Sequence, residues 1–198
     1  QWVQTASRVR QYWNKAEEVP CNDSEGGHPF LRNKMVEPHG IRELQGRLLI
    51  PMLDRHLNLW SLQYISEDGT KRFAKGGRVD GMFYRISGDA GGIGIAEVFS
   101  TAASVHRMTG STVYVAFNAG NLIKVAPTVR SLHPEASIII WGDDDKHRPD
   151  NPGKTMALEA AEAIGAEAVF PNFDRFDHCH PNPTDWNDYL LMEEGQWQ

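Results

Sequence analysis

From residue 91 onward the chain alternates short apolar runs with helical stretches. "IGIAE" (93–97) precedes "STAASVHRMTG", "TVYVAF" (112–117) precedes "GNLIKVAPTVRSL", "ASIIIWG" (136–142) precedes "NPGKTMALEAAEAIG", and "AEAVF" (166–170) closes the series. The apolar runs are too short to be helices of their own and rich in β-branched residues, so they read as strands. Strands separated by crossover helices lie parallel in one sheet with helices packed over it, which makes 91–198 an α/β, doubly wound domain.

The first half follows another pattern. In "WVQTASRVRQYWNKAE" (2–17), Val3, Ala6, Val9, Tyr12 or Trp13 and Ala16 recur at helical spacing and predict an amphipathic helix. "CNDSEGGHP" breaks it, and a short helical piece follows over 30–36. From residue 48 the period changes to that of strands, in "LLIPML", "LNLWSLQYI" and "MFYRI". The Asp-Gly of "SEDGTKRFAKGGRVDG" marks a hairpin turn. Residues 1–90 therefore read as a small α+β subdomain ahead of the 91–198 sheet.

With 40% hydrophobic and 23% charged residues, the chain has enough apolar surface for a packed core and does not read as disordered. It holds no apolar run near the ~18 residues of a membrane span and no basic-then-apolar start of a signal peptide, so a cytoplasmic location is expected. Cys21 and Cys179 stand far apart without a CxxC, and "DHCH" (177–180) reads as a polar loop rather than a zinc site. Gln1 in place of methionine suggests a piece excised from a longer protein.

The net charge of −6 hides a gradient: residues 141–198 carry 4 Lys and Arg against 13 Asp and Glu. A polyanion would avoid that end unless bound cations offset it. "KRFAKGGR" (71–78) supplies the opposite charge through Lys71, Arg72, Lys75 and Arg78, which read as a solvated hairpin or as a phosphate-binding stretch.

The third strand runs directly into three aspartates, "IIIWGDDD", and the first ends on Glu97. Ligands of open α/β sheets sit beyond the carboxyl ends of the strands, so both acidic groups have access to one crevice. Asp143 and Asp145 share a face of an extended chain while Asp144 points away. Hard cations such as Mg2+ take one or two carboxylates together with phosphates and water. The competing reading is a helix-start acid at Glu97 and a capped turn before Pro152; two strand ends carrying such groups favour metal.

These residues and motifs resemble the Toprim domains of primases, topoisomerases and some nucleases, in which a Glu ends the first strand and an Asp-x-Asp ends the third. The likeness is strongest to plasmid- and phage-type DNA primases. "IAEVFSTAASVHRMTG", "VYVAFNAGNL", "NPGKTMALEAA", "VFPNFD" and "TDWNDYL" look like motifs of their Toprim region, and "HPFLRNKMV", "GRLLIPMLD" and "LWSLQYISEDGTKRFAKGG" like the segment before it. The resemblance implies a Rossmann-like parallel sheet flanked by helices behind a small α+β subdomain. It also implies metal-dependent nucleotidyl transfer in DNA replication, the making of short RNA primers on single-stranded DNA. Glu97, Asp143 and Asp145 would be catalytic and, with Asp188, would hold Mg2+ or Mn2+. Lys71, Arg72, Lys75 and Arg78 would bind template or nucleoside triphosphate. A helicase or zinc-binding domain of the parent protein is an implied partner.

One departure is Val98, where the family usually has Gly after the strand-ending Glu. In "TDWNDYL", a helix N-cap at Thr184 or Asp185 rivals the extra metal carboxylate. Two other functions fit the same residues: a Toprim nuclease cleaving phosphodiesters, and a non-catalytic DNA- or partner-binding module that needs no metal.

Overall fold

The structure is a computed structural model that describes residues 1–21, 27–146, 149–176 and 182–197; "DHCH" lies outside the described residues. The chain forms two compact units, Gln1–Tyr84 and Arg85–Gln198.

The first unit is an antiparallel meander with a helix on it. Strands β1 (Glu17–Glu18), β2 (Arg42–Glu43), β3 (Arg47–Leu53), β4 (Leu59–Ser66) and β5 (Lys71–Phe73) lie in that order across the sheet. β3 and β4 form its centre, pairing from Arg47↔Ser66 to Leu53↔Leu59. The β4–β5 turn closes at the Asp-Gly pair, as its sequence predicts: Gly69 has a φ of +82° and its N–H donates to Ser66 O at 2.9 Å, while Asp68 Oδ1 accepts from Thr70 N–H. Pro51 is tolerated in β3 because it falls between the β2 pairing, which ends at Leu49, and the bridge from Leu53 to Phe83, where no ladder bond is asked of its nitrogen. Helix α1 (Trp2–Lys15) presses Val9 onto Leu49, Leu62 and Ala74, with Ala16 just beyond the helix joining the same cluster. Ala6 is buried as its spacing predicts, but Val3 is 72% exposed. A short helix, α2 (Pro29–Lys34), begins on His28, whose Nδ1 accepts from Phe30 N–H.

The second unit is the α/β sheet. Its order is β10-β9-β7-β8-β6, from β6 (Tyr84–Ile86), β7 (Ile93–Ala96), β8 (Thr112–Val115), β9 (Ile138–Trp141) and β10 (Glu167–Val169). β7 pairs parallel with both β8 and β9, and β9 with β10. The alternating "YRI", grouped by its sequence with the first half, instead makes the edge of this sheet: Tyr84 and Ile86 are buried and Arg85 is exposed. Helices α3 (Phe99–Thr109) and α6 (Trp186–Glu193) pack on each other, as do α4 (Ala119–Leu132) and α5 (Pro152–Ile164). Right-handed crossovers put α4 and α5 on one face, because β8→β9 and β9→β10 run the same way across the sheet, and α3 on the other, because β7→β8 runs the opposite way. Val105, Val113, Val115, Val125, Val129 and Ile140 are completely buried in this unit's core.

Candidate functional site

β7 lies between β8 and β9, so the chain reverses its direction of travel across the sheet at β7; ligands of such sheets bind where this reversal opens a crevice. The register pairs Ala96 with Trp141, so Glu97 and the acid run leave the sheet side by side. Gly153, in the first turn of α5, gauges the space between them. A methyl group there would stand 3.5 Å from Asp143 Cβ and 3.7 Å from Glu97 Oε2. Both acids therefore border one space at the start of α5. Thr101, wholly buried on α3, brings Oγ1 to 3.5 Å from Asp143 Oδ1.

The acid run is held along its length. Asp143 and Asp145 are half-buried, whereas Asp144 is only 4% exposed. Trp186 Nε1 donates to Gly142 O at 3.2 Å, and its ring meets Trp141 edge-on at 4.9 Å between centroids. The Asp144 N–H donates to Thr184 O at 2.8 Å. Asn151 Nδ2 donates to Asp144 Oδ1 at 2.7 Å, and Asn151 Oδ1 accepts from the Asp145 N–H at 3.1 Å.

Asp188 lies at the start of α6. Its Oδ2 accepts from the N–H groups of Thr184 (3.0 Å) and Asp185 (3.4 Å), and Asp185 Oδ1 accepts from the Asp188 N–H at 2.8 Å. This is a capping box: Asp185 is the N-cap, and one oxygen of Asp188 is committed to the helix start. Val98 precedes α3 at φ −120°, ψ 161°, extended backbone that β-branched residues favour, so no conformational demand for glycine exists there.

The donors at the crevice are carboxylate oxygens, which suit Mg2+ or Mn2+ and not a thiolate-seeking metal. Among the described residues no three His, Cys, Asp or Glu side chains converge into a metal cage. Glu97 and Asp143 border one space, but Glu97, Asp143, Asp145 and Asp188 do not form a cluster of three or more; Mg2+ is ordinarily held by one or two carboxylates with substrate phosphates and water.

The basic stretch of the first unit divides in two. Arg72 and Lys75 line a groove of about 480 Å3 together with Arg8 and Tyr12 of α1, Arg47, Tyr64 and Phe73. Tyr12 and Phe73 are 40% and 38% exposed, offering ring surface between the cations. Burial pushes the Tyr64 phenol up, Tyr12 adds to this, and Arg8 and Arg47 pull the other way. Lys71, exposed beside Arg72 on β5, is not among the residues lining the groove. Arg78 is outside the groove, its guanidinium 5.7 Å from the ring centres of both Trp2 and Trp60.

Sequence reasoning missed Thr101, Asn151, Trp186, Arg8, Arg47 and the groove's three rings. Asn immediately before Pro152 is a helix N-cap signal, and Arg8 and Tyr12 stand four apart on one helix face, so those were recoverable. The rest depend on contacts between residues far apart in the chain.

The Toprim domain family model matches residues 92–196. Two curated relatives, both DNA primase TraC from Escherichia coli, are 35% identical over 84% and 96% of this chain; the chain spans only 17% and 14% of their lengths. Among solved structures, the DnaG catalytic core superposes with a TM-score of 0.57 at 10% identity, covering 98% of this chain and 76% of that one. The primase fragment of the bacteriophage T7 primase-helicase protein gives 0.53 at 14% identity, covering 84% and 65%. Both structural likenesses concern the fold. With its parallel sheet, its strand-ending acids and a family match across the second unit, the chain belongs to the Toprim domain family, and its sequence is similar to that of DNA primases.

Proposed function

We propose that this chain is the catalytic core of a DNA primase that joins ribonucleotides into short primers on single-stranded DNA. The observation that carries the reading is the meeting of Glu97 and Asp143, from neighbouring parallel strands, against Gly153 at the sheet's reversal point. Asp143 and Asp145 would hold the divalent cation, Mg2+ or Mn2+. When bound, such an ion makes a 3′-hydroxyl more acidic and neutralises charge on a triphosphate. Glu97 either completes the ligand set or accepts the hydroxyl proton, and Asp188 is a further carboxylate of the same region.

In this reading the groove of the first unit holds the nucleic acid. Arg8, Arg47, Arg72 and Lys75 attract phosphates irrespective of sequence, and bases stack on Tyr12 and Phe73. Lys71 and Arg78 extend the basic surface on the same unit. The small share of TraC that the chain spans leaves room for helicase or zinc-binding domains in a parent protein. No helix among the described residues is long and apolar enough to cross a membrane, and a primase would meet its template in the cytoplasm.

The test is ribonucleotide incorporation on single-stranded DNA with Mg2+, Mn2+ or EDTA, comparing the parent with Asp143→Asn and Glu97→Gln. Incorporation should require metal and fall by about 10²-fold or more in each variant, the scale of losing a group that stabilises transition-state charge. Undiminished incorporation in EDTA would sink the metal role. Metal-dependent cleavage of the DNA without incorporation would make the chain a nuclease, and DNA binding with neither reaction would make it a binding module.

A further inference from the structure

We propose that Asn151 and Asp144 are positioning residues, whose side-chain bond fixes where the carboxylates of Asp143 and Asp145 stand relative to helix α5. The inference rests on the reading of Glu97, Asp143 and Asp145 as cation-holding acids. Asp144 is a carboxylate inside the protein, 4% exposed. Burying a charge is tolerated only with partners, and here Asn151 Nδ2 donates to Oδ1 at 2.7 Å while the ammonium groups of Lys146 and Lys154 stand 3.7 and 3.9 Å away.

Asn151 meets four demands at once. Its backbone is left-handed, φ 33° and ψ 64°, a conformation that Asn tolerates better than other residues with a side chain. Its Oδ1 caps α5 through the Lys154 N–H at 3.4 Å. The same oxygen accepts from the Asp145 N–H, and its amide nitrogen donates to Asp144. Asp would cap the helix equally well but lacks the donor, and it would set a second carboxylate against Asp144. Gly would satisfy the backbone and make none of the bonds.

Two residues later comes Gly153, the surface against which Glu97 and Asp143 both lie. One side chain thus ties two successive residues of the acid run to the helix that forms the crevice wall. Ligands for a small hard cation must be held to within about 0.5 Å, which requires such outer bonds.

The probe is Mn2+ alone, titrated into the folded chain by calorimetry or electron paramagnetic resonance, with thermal melts in EDTA as the stability control. Asn151→Asp places two carboxylates in opposition. It adds negative charge, which by itself would strengthen cation binding, so a loss of affinity can come only from lost geometry. We expect Mn2+ affinity to fall by about 10-fold or more, the scale of losing a bond to a metal ligand's surroundings, and to return to within about 3-fold of the parent in the Asp144→Asn/Asn151→Asp double variant. In that variant an amide at 144 donates to a carboxylate at 151, so the bond is remade in reverse. Asn151→Gly, compatible with the left-handed backbone, serves if Asn151→Asp does not fold, and should show the same loss. Equal affinities in the parent and the single variants would overturn the inference alone, as would a double variant that stays weak while melting like the parent. A parent chain that takes up no Mn2+ would overturn the reading of the acids, and this inference with it.

Discussion

The acidic crevice and the basic groove hold their charges by opposite means. In the crevice the backbone is bonded at Gly142, Asp144 and Asp145, and a buried carboxylate is braced by an amide and two lysines. In the groove Arg8, Arg47, Arg72 and Lys75 are all exposed, and Arg8 Nη2 reaches across to donate to Lys75 O at 2.8 Å. The contrast matches what each region would bind. A small hard cation demands ligands at fixed distances, whereas a flexible polyanion is held by charge density and stacking surface that follow it.

The comparison breaks first, and with the largest effect, if the groove's charge is removed. The quadruple variant Arg8/Arg47/Arg72/Lys75→Ala should lose single-stranded DNA affinity by about 10²-fold at low salt, and the slope of log affinity against log salt should flatten by about 0.7 for each phosphate that is no longer neutralised. Because these side chains are exposed, its melting temperature should stay close to the parent's. Fluorescence anisotropy at several salt concentrations reads both the affinity and the slope. Unchanged binding would move the DNA track to Lys71 and Arg78.

The crevice should instead respond to a single methyl group. At Gly142 a Cβ would stand 2.4 Å from Phe170 Cε1 and 2.9 Å from Ala157 Cβ, so Gly142→Ala must displace both and should cost about 1–3 kcal/mol in a urea melt. Gly153 is the control, because its nearest neighbours lie 3.4 Å or more from the added methyl. Gly153→Ala should melt at or slightly above the parent through reduced unfolded-state entropy, yet weaken Mn2+ uptake by placing a methyl group in the space that Glu97 and Asp143 border. A Gly142→Ala variant as stable as the parent would show that the acid run has slack, which the contrast with the groove denies.

How much of this was legible in the sequence differs between the same two regions. The parallel sheet announced itself because apolar period and helix length alternate locally, from "IGIAE" to "AEAVF". The convergence of Glu97 and Asp143 also follows from the rule about strand ends, although their common neighbour Gly153 does not. Thr101 reaches Asp143 across 42 positions and Trp186 reaches Gly142 across 44, and no local pattern encodes such a contact. "YRI" joins a different sheet from the one its neighbours suggest for the same reason: three residues with one face buried fit any edge, and only tertiary pairing chooses. The two-residue strands β1 and β2 are too short to carry a period at all. In the groove the basic stretch was visible but incomplete, because α1 and β3 contribute Arg8 and Arg47 from outside it.

A smaller effect is expected at Val98, on the crevice side of the comparison. Since its backbone is extended and asks for no glycine, Val98→Gly should lose about 0.5–1 kcal/mol through the greater freedom of the unfolded chain. Ribonucleotide incorporation measured beside the melt should be unchanged. A rise in incorporation would mean that the side chain, not the backbone, narrows the crevice.

The smallest effect lies in the first unit, at the strongly shifted carboxylate of Asp54. Burial alone would push its carboxyl up, but Trp60 Nε1 (2.8 Å), the Asn58 amide (3.0 Å) and the backbone N–H groups of Asn58 (2.9 Å) and His56 (2.8 Å) all donate to it and bring it from 3.8 down to about 2. A carboxyl depressed in the folded state favours folding at every pH above its unfolded value and loses that contribution as pH falls through the folded one. The window is therefore pH 4 to 2, with no change near neutrality. Asp54→Asn keeps one acceptor but not the charge, so the variant should be less stable than the parent at pH 5, and the gap between their urea midpoints should shrink by pH 2.5. The same bond holds Trp60, whose ring faces Arg78, so loosening it should also raise the exposure of Trp60 to an aqueous quencher while leaving the groove's salt slope untouched, since Arg78 lies outside that groove. A gap that stays constant from pH 5 to 2.5 would mean that the hydrogen bonds, and not the carboxylate's charge, carry the stability of this loop.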